Sequence, residues 1–140
     1  MSVTRAQVVE AARAWDGRRW RHKGRNEYGV DCVGLPRVIA RQFGLSDYDF
    51  LDYGREPDAA KFLQHFAASG CVRIDIKAAR DADLIIFHQS GYPCHVGIMA
   101  TRRGVRTVIH SSASHKKVVE EDLRPDATVV AAYRMPGIIG

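Results

Sequence analysis

The chain has 140 residues, 46% hydrophobic and 26% charged, which suits one domain with a single core and is too short for two, so residues 1–140 are read as one domain. No apolar run nears the roughly 20 residues that span a bilayer, and no basic segment followed by an apolar one opens the chain; we expect no membrane span, no signal peptide and synthesis in the cytoplasm. Lys and Arg number 21 against 16 Asp and Glu, a net charge of +5 that favours an anionic partner without choosing one, and three cysteines without paired spacing argue against a disulfide framework.

Thr4 to Trp15 reads as a helix. Thr4 and Gln7 have capping-box spacing, and Val8, Ala11, Ala12 and Trp15 form an apolar stripe. From Asp16 to Tyr28 the period stops, and Arg18, Arg19, Arg21, Lys23 and Arg25 crowd around Trp20 and His22. We expect a loop there, either a solvated basic face or a rim for an acidic substrate. A second helix follows, with Leu35, Val38, Ile39 and Phe43 on one face and Gly44 as its C-cap. Pro36 should remove one backbone bond from its first turn. Ser46 to Arg55 is acidic and aromatic with no period. Pro57 opens a third helix, with Phe62, Leu63 and Phe66 in its stripe, Gly70 at its end and His65 on the surface.

From Cys71 onward the period becomes two. Strands are expected at 72–76, 84–87, 94–100, 105–110, 118–119 and 128–133, with a turn at 89–93 and a hairpin bend at 102–104. The run Leu84-Ile85-Ile86-Phe87 suits a strand buried on both faces. Helices first and an antiparallel sheet second make an α+β domain.

Asp31 is a good N-cap for the second helix and places Cys32 at its first position, where unpaired amides and the helix dipole favour a thiolate. Across the 102–104 bend, paired residues sum to 205 or to 207. His95 then lies opposite or diagonal to His110, on one face of the sheet in either case, while Cys94 points to the other face. A capped cysteine with two neighbouring histidines is a nucleophile, base and orienter arrangement. Cys71 follows a helix C-terminus and Cys94 is a small hydrophobe, so both are read as structural. Cys32, Cys94, His95 and His110 are zinc-type ligands, but no C-x-x-C or H-x-x-x-H spacing is present, and we expect neither metal nor cofactor.

These residues resemble the NlpC-type cell-wall peptidases, papain-like cysteine enzymes. The family's Asp-Cys-Ser-Gly-Leu reads Asp31-Cys32-Val33-Gly34-Leu35; its Gly-Asp-Leu reads Ala82-Asp83-Leu84; its His-Val-Gly-Ile stands intact at His95-Val96-Gly97-Ile98; its Ile-His-Ala reads Ile109-His110-Ser111. The resemblance implies a papain-like fold, N-terminal helices packed on a mainly antiparallel sheet. It implies Cys32 as nucleophile, His95 as base and His110 as the third polar residue. It also implies a peptidoglycan stem peptide as substrate, cut between γ-linked D-glutamate and the diamino acid. Asp31, Trp20, Arg19 and Arg21 are the candidate substrate contacts. Trp20 takes the place of a family tyrosine, Val33 of a serine and Ala82 of a glycine.

The ending Ala131-Ala132-Tyr133-Arg134-Met135-Pro136-Gly137 resembles the branch encoded in phage tail clusters and gene-transfer agents. That implies phage-tail-like partners and action on the cell wall from a phage-like particle or after lysis. The alternatives are a non-catalytic wall-binding or tail-structural domain, and an amidase or acyltransferase using the same three residues. A nucleic-acid binder built on the basic loop with Trp15 and Trp20 is a further class; no nucleic-acid partner is expected.

Overall fold

The computed structural model describes residues 2–54, 59–89, 92–123 and 127–140. Thr4 begins the first helix as its chemistry requires. Its hydroxyl accepts from the Gln7 amide at 3.1 Å, and Gln7 Oε1 accepts from the Thr4 amide at 2.8 Å, which closes the capping box. Helix α1 (Arg5–Arg13) buries Val8, Val9 and Ala12. Just before it, β1 (Val3–Thr4) pairs in parallel with the chain's last strand, Ile138–Ile139.

The basic stretch is not the plain loop that its charge pattern implies. The Gly17 and Trp20 amides donate to the Val118 and Lys116 carbonyls at 2.9 and 3.0 Å, so this segment lines the outer edge of the sheet. Further on, β2 (Arg25–Asn26) and β3 (Gly29–Val30) form a small antiparallel hairpin. Backbone groups in this compact segment need partners whatever the side-chain charges do.

Helix α2 (Gly34–Gln42) buries Leu35, Pro36, Ile39 and Ala40. Asp31 caps it from three residues earlier: its carboxylate accepts from the Gly34 amide at 2.8 Å, and its carbonyl accepts from Leu35 at 3.1 Å. The regular helix begins only at Gly34 because Pro36 has no N–H to give the Cys32 carbonyl. Helix α3 (Ala59–Ala68) carries the buried Phe62 and Phe66. Pro57, which the sequence places at its start, lies outside the described residues.

The main sheet has six strands, β4 (Val72–Ile74), β5 (Leu84–Gln89), β6 (Tyr92–Arg102), β7 (Val105–Ser112), β8 (Lys117–Asp122) and β9 (Thr128–Arg134). Their spatial order is β4-β9-β5-β6-β7-β8, and every neighbouring pair is antiparallel. Of the turn expected at 89–93, Gln89 lies in β5 and Tyr92 and Pro93 in β6, while residues 90–91 lie outside the described ones. β10 (Ile138–Ile139) completes the chain. One sheet face meets the helices: Leu84, Ile86, Val96, Ile98 and Ile109 join Val8, Leu35, Ile39 and Phe62 in the larger core. The other face holds a smaller core of Ile85, Phe87, Met99, Val108 and Ala132. The run 84–87 is therefore buried on both faces.

Asp83 ties this architecture together. It is fully buried and accepts from Arg5 at 2.9 Å, from Arg134 at 3.1 and 3.0 Å, and from the Arg80 amide at 2.8 Å. That joins α1, β9 and the entry to β5. Ala82 beside it sits at φ 77, the left-handed region that a glycine enters without a steric penalty.

Candidate active site

The β6–β7 hairpin turns at Arg103 and Gly104, both at positive φ (56 and 77), as a two-residue turn of the primed type requires. Arg102 pairs with Val105, so paired residues sum to 207 and the two histidines are diagonal neighbours. His95 and His110 are 7% and 2% exposed, with ring centroids 5.7 Å apart at an interplanar angle of 85°. The Phe87 ring lies 5.8 Å from His95 and 5.6 Å from His110. Gly97, two residues along β6 from His95, is needed for space: a Cβ there would lie 2.3 Å from Val108 Cγ2 and 3.3 Å from Phe87.

The β6–β7 pairing starts at Ile98 and Ile109 and runs toward the turn. On the other side of that point the chain around Cys32 comes in. The Met99 amide bonds Asp83 on the β5 side, so by alternation the Val96 amide faces β7. It donates to the Cys32 sulfur. Ser111, which the register would set opposite Val96, donates its hydroxyl to the Val30 carbonyl at 2.6 Å. Ser111, on the helix side of β7 with Ile109, thus ties Val30 to β7, and the Val96 amide ties Cys32 to β6. The sulfur is thereby held at the peptide that joins His95 to Val96, with Cys32 packed against the helix-side core.

Four donors hold the segment before the cysteine. Asp31 Oδ1 accepts from Gly34 and from Arg25 at 3.1 Å; Oδ2 accepts from the Lys23 amide at 2.7 Å and the Tyr53 hydroxyl at 2.6 Å. Arg25 also donates to Tyr53, Phe50 and Asp49. Asp31 is 3% exposed, so it acts as an anchor of this segment. Arg25, grouped in the sequence with the substrate-facing basic residues, is likewise committed to the protein. The glycine of Asp-Cys-x-Gly has a steric reason: a Cβ at Gly34 would lie 2.1 Å from the Gly24 carbonyl oxygen.

The acidity of Cys32 reverses the expectation from its helix-start position. It is half-buried as a residue, yet burial is the largest influence on its sulfur and pushes the thiol up to about 12, helped by the Asp31 carboxylate and opposed by the Val96 amide. A helix end is worth about 1 kcal/mol, less than one pKa unit, whereas burial moves a group by up to roughly 3–5 units. Burial also pulls the His95 imidazole down to about 4, with His110 adding to the effect and Glu121 opposing it. In the substrate-free protein the Cys32 thiol and the His95 imidazole are therefore both neutral near neutral pH.

Cys94 belongs to the helix-side core and Cys71 packs against it, in line with structural roles. Trp20 is half-buried, with its ring 6.3 Å from His22; Arg19 and Arg21 are exposed beside it. Arg18 stacks on Trp15 at 5.4 Å. His65 is no plain surface residue. It bonds Tyr48 at 2.6 Å and Asp52 at 2.8 Å and stacks on Phe50 with centroids 3.9 Å apart. Sequence reasoning missed Tyr53, which lies in the aperiodic stretch, and Glu121, which only the β7–β8 pairing brings to His110. Among the described residues, no three His, Cys, Asp or Glu side chains gather as a metal site.

A cysteine at the head of a helix packed on an antiparallel sheet, with two neighbouring histidines on adjacent strands of that sheet, defines a papain-like domain. The chain belongs to the NlpC/P60 family, whose sequence pattern matches residues 17–128. Its fold is similar to the NlpC/P60 domain of the peptidoglycan hydrolase SagA, with a TM-score of 0.65 at 20% identity over 95% of this chain and 100% of that one. It is also similar to the peptidoglycan hydrolase RipB from Mycobacterium tuberculosis, with a TM-score of 0.58 at 19% identity over 94% of this chain and 66% of that one. An N-acetylmuramoyl-L-alanine amidase from Bacteroides uniformis gives 0.62 at 13% identity over 94% and 98%. At these identities the likeness is one of fold. No curated protein matches the chain significantly.

Proposed function

We propose that the protein is a cysteine endopeptidase of peptidoglycan stem peptides, cutting between γ-D-glutamate and the diamino acid. The observation that carries this reading is the placement of the Cys32 sulfur on the Val96 amide, one residue from His95, which itself packs against His110. In this mechanism the Cys32 thiol gives its proton to His95 as the sulfur attacks the amide carbonyl. A neutral resting pair suits this order, because the proton moves as the bond forms rather than before it. The Cys32 backbone N–H, at the head of the helix, is the oxyanion donor. His95 then protonates the departing amine, the C–N bond breaks and a thioester remains. Water, activated by His95, hydrolyses it and restores the thiol.

Arg19 and Arg21 meet the carboxylates of the stem on this reading, and Trp20 gives the bound peptide an apolar wall. Asp31 serves through the segment it anchors. The resemblance of residues 131–137 to the phage-tail and gene-transfer-agent branch supports delivery to the wall by a phage-like particle or at lysis.

Incubation with an L-Ala-γ-D-Glu-diaminopimelate peptide and with intact sacculi, followed by mass spectrometry, tests the proposal. An L-Ala-D-Glu dipeptide or its glycan-linked form is the expected product. Whole stems released from muramic acid would establish an amidase instead, the reading favoured by the likeness to the Bacteroides uniformis enzyme.

A further inference from the structure

The third polar residue of this site is a histidine, and that creates a requirement that an asparagine or aspartate would not. To orient His95, it has to accept a hydrogen bond from that ring. A neutral imidazole accepts at one nitrogen only, and which one depends on where its proton sits. His110 Nε2 lies 2.9 Å from Glu121 Oε2. A carboxylate offers acceptors alone, so His110 is the donor there. In the neutral ring Nδ1 is then left as the bare acceptor. That atom is buried and has no hydrogen-bond partner among the described residues, while the His95 ring stands beside it.

We infer that Glu121 is a positioning residue of the site: it fixes the Nε2–H tautomer of His110, so that Nδ1 is kept as the acceptor for an N–H of His95. The inference rests on the reading of His95 as the base. Strand pairing supports it independently. Glu121 pairs with Val108 and His110 with Val119, which puts Glu121 and His110 on the same face of the sheet as Phe87. The carboxylate is itself oriented. Its Oε1 lies 3.1 Å from His115 Nε2, and His115 Nδ1 lies 2.9 Å from Ser112 Oγ. Support of this kind, one shell outward, is how a site keeps a reactive ring in a single orientation.

The test uses the full chain labelled with 15N-histidine, and reads the ring tautomers by NMR alongside kcat and KM on the stem peptide. In the wild type, His110 should carry its proton on Nε2. Glu121→Gln keeps a carbonyl acceptor and should retain that tautomer, with kcat within a few-fold of wild type. Glu121→Val removes the acceptor; His110 should then lose its Nε2–H preference, and kcat should fall at least about tenfold with KM unchanged. A wild-type His110 protonated on Nδ1, or a Glu121→Val protein with unaltered tautomer and kcat, would overturn the inference. Should Glu121→Val fail to fold, the wild-type and Glu121→Gln spectra decide the matter. A wild type that cleaves no stem peptide would count against the peptidase reading, while the tautomer measurement still judges Glu121.

Discussion

The Cys32 sulfur takes a hydrogen bond from the Val96 amide, just beyond the last β6–β7 pair at Ile98 and Ile109. This one bond links the helix that presents the nucleophile to the strand that carries its base. It also means that the sulfur is held by protein atoms and not displayed to solvent, which shapes its reactivity.

With the thiol pushed up to about 12, Cys32 of the free protein should alkylate slowly near neutral pH and faster as the solution becomes alkaline. Burial raises Cys71 as well, so neither cysteine should dominate at neutral pH. Iodoacetamide labelling across a pH series, followed by peptide mapping, checks this. Rapid, selective labelling of Cys32 at neutral pH would show a resident thiolate. Cys32→Ala should abolish hydrolysis and leave the fold intact.

His95 titrates from 6.5 in the unfolded chain to about 4 in the folded one. Between those values the unfolded state binds more protons, so stability rises with pH across the window and is lost on acidification through it. The full shift corresponds to roughly 3 kcal/mol. Urea midpoints should fall between about pH 6.5 and 4, and His95→Phe should flatten that dependence. The acid limb of kcat/KM should likewise lie near 4. A limb near 6.5 would mean that an exposed imidazole is the base.

Tyr53→Phe deletes a hydroxyl that donates to Asp31 and accepts from Arg25. Burial and the Asp31 carboxylate hold the Tyr53 phenol far above its ordinary range, so it stays a donor throughout the working pH range. Its loss should cost about 1–3 kcal/mol in chemical denaturation and loosen the segment before Cys32. kcat should fall along with stability. An unchanged denaturation midpoint would show that water replaces the hydroxyl.

Asp83→Asn leaves Arg5 and Arg134 facing a neutral amide inside the protein. Breaking a buried charge pair from one side costs about 3–5 kcal/mol, which is a large part of a small domain's stability. The variant should have a sharply lowered thermal midpoint or fail to fold. A loss under 1 kcal/mol, on the order expected of an exposed pair, would refute the clamp.

The helices and the six strands of the main sheet were legible because their apolar residues keep a period of 3.6 or 2. The histidine pair followed from counting across one tight turn. Other features were hidden for physical reasons. Strands β1, β2, β3 and β10 have two residues each, too few to show a period, and β1 with β10 exists only through pairing across nearly the whole chain. The basic stretch looked solvated because charge says nothing of where amides bond. Cys32 looked acidic because a helix start is visible in sequence and burial is not. Tyr53 carried no local signal at all.

The Arg103–Gly104 turn has a consequence for the way this domain tolerates change. It stands eight residues along the strand from His95, about 27 Å at full extension, and touches none of the reacting groups. Yet side chains alternate with a period of two, so the turn sets the phase of everything beyond it. Removing Gly104 and re-forming the hairpin would bring His110 opposite Val96, onto the helix side, with every side chain of the site chemically intact. The chemistry thus depends on the parity of a remote loop, and a length polymorphism there would silence the domain without altering one residue of its site.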